Sequence, residues 1–187
     1  RELVRQSSVE VKRMEEGILY IGLQEFNTDT YYEYIAPIAG ECLHEGVAAS
    51  DILRDCAADR TRTPVVVVDA RDNSGGLLIA AEKLCGFYTA RGDDVIVTLQ
   101  RRTEEITHHA TDALNERAIG ILRSIPLIVM VNENSASATE IFAECVRQET
   151  GALILGVRTY GKGTVQSIFP LSNGGIMLFT TEEYFVG

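Results

Sequence analysis

No apolar run in this sequence approaches the ~18 residues that a membrane-spanning helix needs, so a helical membrane span is excluded. Internal repeats and low-complexity tracts are also missing. Hydrophobic residues make up 45% and charged residues 24%, which sets aside collagen-like, coiled-coil and disordered readings. Positive charge is scarce: Lys and Arg total 17 against 27 Asp and Glu, for a net charge of −10. Such a surface repels phosphate backbones and anionic lipid, so no nucleic-acid partner is expected. The four cysteines, Cys42, Cys56, Cys85 and Cys145, form no C-x-x-C and no tight Cys/His cluster. The three histidines, His44, His108 and His109, stand in no H-E-x-x-H frame. Neither a metal nor a cofactor is therefore expected. The cysteines read as partly buried thiols, with their pairing left open.

What remains is a chain of 187 residues. That fits one domain, or one and a fraction, with enough length to bury a sizeable core. It starts at Arg1 without Met or an apolar signal segment, and stops at Gly187 straight after a strand-like run. The expectation is a piece of a longer protein.

The pattern along the chain alternates strands and helices. Val9 and Val11 suggest an exposed strand and Gly17–Leu23 a buried one. A helix is expected from Asp29, capped by Asn27 or Thr28, interrupted by Pro37 and Gly40 and ended near Gly46. A second helix is expected from Ser50 or Asp51 to about Asp59. The β-branched run Val65–Ala70 reads as a buried parallel strand. A helix follows over about Leu77–Ala90, then a strand over Asp94–Gln100. The polar stretch Arg101–Asp112 reads as a loop or hairpin. Pro126–Asn132 and Ala152–Val157 are further apolar strands around a helix over Ser137–Glu149, with Gly151 as its C-cap. Thr164–Pro170 and Ile176–Phe185 close the chain as strands joined by a turn at Ser172–Gly175. This rhythm predicts an α/β fold of mainly parallel buried strands flanked by helices, plus N- and C-terminal strands.

In such sheets ligands collect beyond the carboxyl ends of the strands. Three of these ends carry unusual residues. Asp69–Gly76 reads D-A-R-D-N-S-G-G, Val131–Glu140 reads V-N-E-N-S-A-S-A-T-E, and Gly156–Gln166 reads G-V-R-T-Y-G-K-G-T-V-Q. In the second, three hydroxyl residues (Ser135, Ser137 and Thr139) crowd a helix start. A serine there gains a positive dipole end and a neighbouring N–H able to bind an oxyanion. The bland alternative is a capping box, Ser137-x-x-Glu140. In the third, Lys162 lies between two glycines, on a turn after a strand, Ala152–Val157, that reads as buried. An ordinary lysine titrates near ~10.4, and one acting as a general base near ~7–8. No carboxylate lies within five residues of Lys162, which leaves burial as the means of such a shift. The alternative is a solvated loop lysine. In the first, Gly75 or Gly76 could bring a backbone N–H close to a carbonyl, or simply make a tight βα turn. No Asp–His pair for a Ser-His-Asp triad is apparent.

Taken together, these three segments resemble the C-terminal processing peptidases, or tail-specific proteases: serine–lysine enzymes with the Clp-protease/crotonase-like fold. The family's blocks run roughly D-L-R-x-N-x-G-G, V-N-x-x-S-A-S-A-S-E and G-x-x-T-x-G-K-G-x-V-Q. Their order and spacing recur here from about Gly17 to the end. The resemblance implies Ser137 as nucleophile and Lys162, 25 residues on, as general base. It implies Gln166 as the residue orienting that lysine, and Ala138 with Gly75 or Gly76 as the oxyanion hole. Asp69 and Arg71 are expected to brace a strand end. Thr139 stands where the family's third serine would be. Residues 1–16 resemble the strand segment after the family's PDZ domain, and residues 17–187 the catalytic core. The implied partners are unstructured C-terminal tails of proteins, and the implied place is the cell envelope or periplasm. The competing reading is a non-catalytic peptide- or lipid-binding module on the same fold.

Overall fold

The computed structural model describes residues 7–14, 17–39, 65–89, 95–101, 104–109 and 125–186. In chain order the elements are β1 (Val9–Arg13), β2 (Ile18–Leu23), α1 (Thr30–Ala39), β3 (Val65–Asp69), α2 (Leu78–Tyr88), β4 (Val95–Gln100), β5 (Glu105–His109), β6 (Leu127–Val131), α3 (Ala138–Thr150), β7 (Leu153–Gly156), β8 (Thr164–Pro170) and β9 (Ile176–Val186). The second helix expected from Ser50 or Asp51, with Gly40 and Gly46, lies outside the described residues.

A five-stranded sheet runs in the order β1-β2-β3-β6-β7. β2, β3, β6 and β7 are parallel, and β1 adds antiparallel at the edge. Burial alternates along β3, β6 and the first part of β2, as the two-residue period of a strand requires. Leu19, Ile21, Val66, Val68, Leu127 and Val129 point to one side, where they pack with Leu84 of α2 and Ile141, Phe142 and Val146 of α3 in one core. Behind them Tyr34 and Tyr88 share a buried hydroxyl–hydroxyl bond of 2.7 Å. The other face is half-exposed.

Two expectations need correction. Helix α1 runs through Pro37 to Ala39 rather than breaking there. Pro37 has no N–H, so this turn forfeits one helical bond while the helix continues. The strand at Ala152–Val157 is not buried: β7 is an edge strand, and Leu153 and Leu155 are exposed. The C-terminal strands expected at Thr164–Pro170 and Ile176–Phe185 form β8 and β9. They join β4 and β5 in a separate antiparallel sheet, ordered β5-β4-β9-β8. The polar stretch after Gln100 is accordingly a hairpin, with Glu105 opposite Gln100.

Candidate active site

The carboxyl ends of β3, β6 and β7 converge, so the three unusual segments meet. The segment after β6 enters α3 through a sharp turn. Ser137, at its apex, has φ 57° and ψ −120°. Only Asp72 shares a positive φ among the described residues other than glycine. A side chain held there costs roughly 1–3 kcal/mol, and such strain collects at functional sites. A strand–turn–helix with a strained serine at the tip presents its hydroxyl outward, the geometry of a nucleophile elbow.

The neighbouring hydroxyls are spent inside. Ser135 is fully buried and donates to the Ala70 carbonyl at 2.8 Å. Thr139, also buried, donates to the Asn73 carbonyl at 3.0 Å. Ser137 is half-buried.

Asn73 shapes the glycine loop after β3. It is fully buried, donates through Nδ2 to the Leu23 carbonyl at 2.9 Å, and accepts the Gly75 N–H at 2.9 Å. Its own carbonyl receives the Ala136 N–H at 3.1 Å. Gly75, at φ 101°, lies so close to the serine turn that a Cβ there would meet Ser137 Cβ at 2.8 Å and the Ala138 nitrogen at 3.0 Å. Its N–H is already used by Asn73. The Gly76 N–H and the Ala138 N–H have no acceptor among the described residues. The Gly75 carbonyl accepts from Phe26 at 2.9 Å. In a planar trans peptide the Gly76 N–H therefore points away from Phe26.

The lysine segment is fixed by Glu140. One carboxylate oxygen accepts the Thr159 hydroxyl and the Gly161 N–H, both at 2.7 Å. The other accepts the Ser137 N–H at 2.8 Å and the Lys162 N–H at 3.0 Å. The Tyr160 N–H adds a bond to the Ser135 carbonyl at 3.0 Å. Ser137 and Lys162, 25 residues apart in sequence, thus hang on a single oxygen atom. The capping glutamate foreseen at Ser137-x-x-Glu140 is in place, and its carboxylate also accepts the backbone N–H of Lys162. Sequence distance hid that contact. The S-x-x-E signal pointed to Glu140, but only as a cap.

Lys162 is half-buried. Among the described residues its side chain has no hydrogen bond to Ser137 Oγ or to Gln166. Gln166 stands exposed on β8, opposite Thr180 and beside a register shift. Asp69 and Arg71 brace one another through bonds of 2.8 and 2.6 Å, and Asp69 also accepts the Tyr20 hydroxyl at 3.0 Å. The Arg71 guanidinium holds the Asp69 carboxyl below the usual range. Asp72 pins the loops after β3 and β6 together, accepting from the side-chain amides of Asn132 and Asn134 at 2.9 and 2.8 Å. No group of three or more metal-binding side chains occurs among the described residues.

Comparison with known proteins gives a consistent picture. The chain is 38% identical over 118 residues to a carboxyl-terminal-processing peptidase 1, chloroplastic, of Arabidopsis thaliana; the match covers 63% of this chain and 23% of the relative. It is 29% identical to a carboxyl-terminal-processing protease of Synechocystis, over 98% of this chain and 38% of the relative. The chain thus spans about two fifths or less of these relatives. Among solved structures, a photosystem II D1 C-terminal processing protease superposes with a TM-score of 0.66 at 23% identity, covering 100% of this chain and 45% of the other. A lipoprotein from Streptococcus agalactiae gives 0.65 at 17% identity, over 97% and 60%. These two likenesses establish the fold. The model of peptidase family S41 matches residues 17–186, nearly the whole chain, and on that match the chain belongs to peptidase family S41, whose members include the carboxyl-terminal-processing serine proteases.

Proposed function

We propose that this chain is the catalytic core of a serine endopeptidase in which Ser137 is the nucleophile and Lys162 the general base. The observation that carries the reading is the shared Glu140 oxygen, which holds the backbones of both residues side by side. The strained turn at Ser137 supports it.

In this reading Ser137 Oγ attacks the scissile carbonyl carbon while Lys162 Nζ takes its proton. Negative charge moves to the carbonyl oxygen, and the N–H groups of Ala138 and Gly76 receive it. Gly76 is preferred to Gly75, whose N–H is already bonded to Asn73. Collapse breaks the C–N bond, and the protonated lysine passes its proton to the leaving amine. Water then attacks the acyl-enzyme with Lys162 again as base, the ester bond to Ser137 Oγ breaks, the lysine returns the proton to that oxygen, and the new carboxyl terminus leaves. Gln166 orients the lysine once the segment closes on substrate. No cofactor or metal takes part in this scheme.

The substrate class we propose is the unstructured C-terminal tail of another protein, bound as an extended strand along exposed backbone edges. Export to the cell envelope or periplasm, and an upstream PDZ domain in the intact protein, belong to the same proposal. Labelling by a serine-directed probe tests the chemistry. Labelling of the parent chain but not of Ser137→Ala is expected. An unlabelled, properly folded parent protein would favour a binding module on this fold.

A further inference from the structure

We propose that Tyr184 is a positioning residue for the oxyanion hole: its hydroxyl adds a third, longer contact to the Ser137 carbonyl, beside two helical N–H bonds, and steadies the peptide unit whose other end is the Ala138 N–H. This rests on the serine-peptidase reading above.

Tyr184 comes from β9, in the antiparallel sheet, and faces inward together with Glu182; both are buried. It pairs with Leu99 of β4, which anchors its backbone. From there it touches both halves of the site. Its N–H donates to the carbonyl of Gly163, next to Lys162, at 3.0 Å. Its hydroxyl reaches the Ser137 carbonyl at 3.5 Å. That carbonyl also accepts the N–H groups of Glu140 at 2.8 Å and Ile141 at 3.1 Å.

The Ser137 carbonyl and the Ala138 N–H belong to one planar peptide. Whatever fixes the oxygen fixes the direction of the N–H. Bonds to the oxygen also polarise the amide and make its N–H a better donor. The two helical N–H groups would be present at any helix start. Tyr184 is the additional donor, and it is supplied by the other sheet. Burial and the nearby Glu140 charge push the Tyr184 hydroxyl up from its usual range, so it remains a protonated donor throughout the working pH. At 3.5 Å the bond is long, so its loss should change rate by a modest factor rather than abolish it.

The test compares Tyr184→Phe with the parent in the intact protein, with Ser137→Ala as reference. Substrate is an unstructured peptide, and a peptide aldehyde that forms a tetrahedral adduct on serine serves as inhibitor. The phenylalanine variant keeps the ring and the fold. It should lower kcat by about 3- to 10-fold, less than removal of an oxyanion donor itself. KM should stay within about twofold, and aldehyde affinity should fall by the same factor as kcat. A merely structural role would lower thermal stability without moving kcat and aldehyde affinity together. Unchanged kcat and aldehyde affinity in Tyr184→Phe, with Ser137→Ala inactive, would overturn the role of Tyr184 alone. Full activity in Ser137→Ala would overturn the parent reading.

Discussion

Ser137 holds a positive φ that a side chain adopts only when its surroundings compel it. Ser135, two residues earlier, is fully buried and bonded to Ala70. The two serines should respond to alanine in opposite ways. Ser137→Ala should abolish peptide cleavage with little change in melting temperature. Ser135→Ala should leave part of the rate but lower stability by about 1–3 kcal/mol, because it strands buried backbone groups. Parallel kinetics and thermal melts check both, and full activity in Ser137→Ala would refute its assignment. Lys162 offers a second test at this scale. A lysine accepts a proton only as the free amine, so the rate should rise with pH. Lys162→Arg should be inactive at every pH, since a guanidinium remains protonated. An arginine variant with near-parental turnover would rule out the base role.

At the scale of elements, the site is an agreement between the start of α3 and the segment after β7, held by one carboxylate. Glu140 accepts four donors, two on each oxygen. Glu140→Ala removes all four and frees the lysine segment from the serine turn. The expected result is a loss of kcat of about 100-fold or more, since charge-assisted bonds contribute about 1.5–3 kcal/mol each. Glu140→Gln should be milder. Its amide nitrogen can face the Thr159 hydroxyl, which can turn to accept, and only the Gly161 N–H is then lost. Equal activity of both variants with the parent would remove Glu140 from the site. The glycine loop gives a steric counterpart. Gly75→Ala combines φ 101° with a Cβ 2.7 Å from the Ala136 carbonyl and 2.8 Å from Ser137 Cβ. It should displace the serine turn and silence labelling by a serine-directed probe, even where circular dichroism still reports a folded chain.

For the whole molecule, pH acts through the bonds that join the strand ends. Asp69 has a lowered pKa, chiefly from its bonds to Arg71. Its contribution to stability is therefore complete above the unfolded value of about 3.9 and disappears as pH falls through the lower folded value. Asp69→Asn should be less stable than the parent near neutrality, and the difference should close as pH drops below about 4. Melts from pH 7 to pH 2 would show it, and a difference that persists unchanged at pH 2 would contradict it. The absence of a bond between Lys162 Nζ and Ser137 Oγ among the described residues suits a site that tightens only on substrate. The chain spans about two fifths or less of its curated relatives. Turnover of an unstructured peptide should be lower for these 187 residues alone than for a chain that also carries the proposed PDZ domain. Equal turnover would show that domain to be dispensable.

The sequence by itself determined the strands, the helices and the residues worth watching. Apolar alternation and β-branched runs are local, and they specify β2, β3 and β6 without reference to the rest of the chain. The three blocks around Gly75, Ser137 and Lys162 were legible because turns and helix starts restrict which residues can occupy them. How these parts combine depends on contacts between segments distant in the chain. The split into a parallel and an antiparallel sheet depends on which strand edges pair, and hydrophobic pattern carries no record of that. β7 reads as buried from its composition, yet among the described strands it lies at the sheet's edge, paired only with β6. Glu140 and Tyr184 looked like a helix cap and a strand aromatic. Their contacts with Lys162, Gly163 and Ser137 span 21 to 47 residues of sequence. Such contacts arise from through-space geometry that folding alone creates.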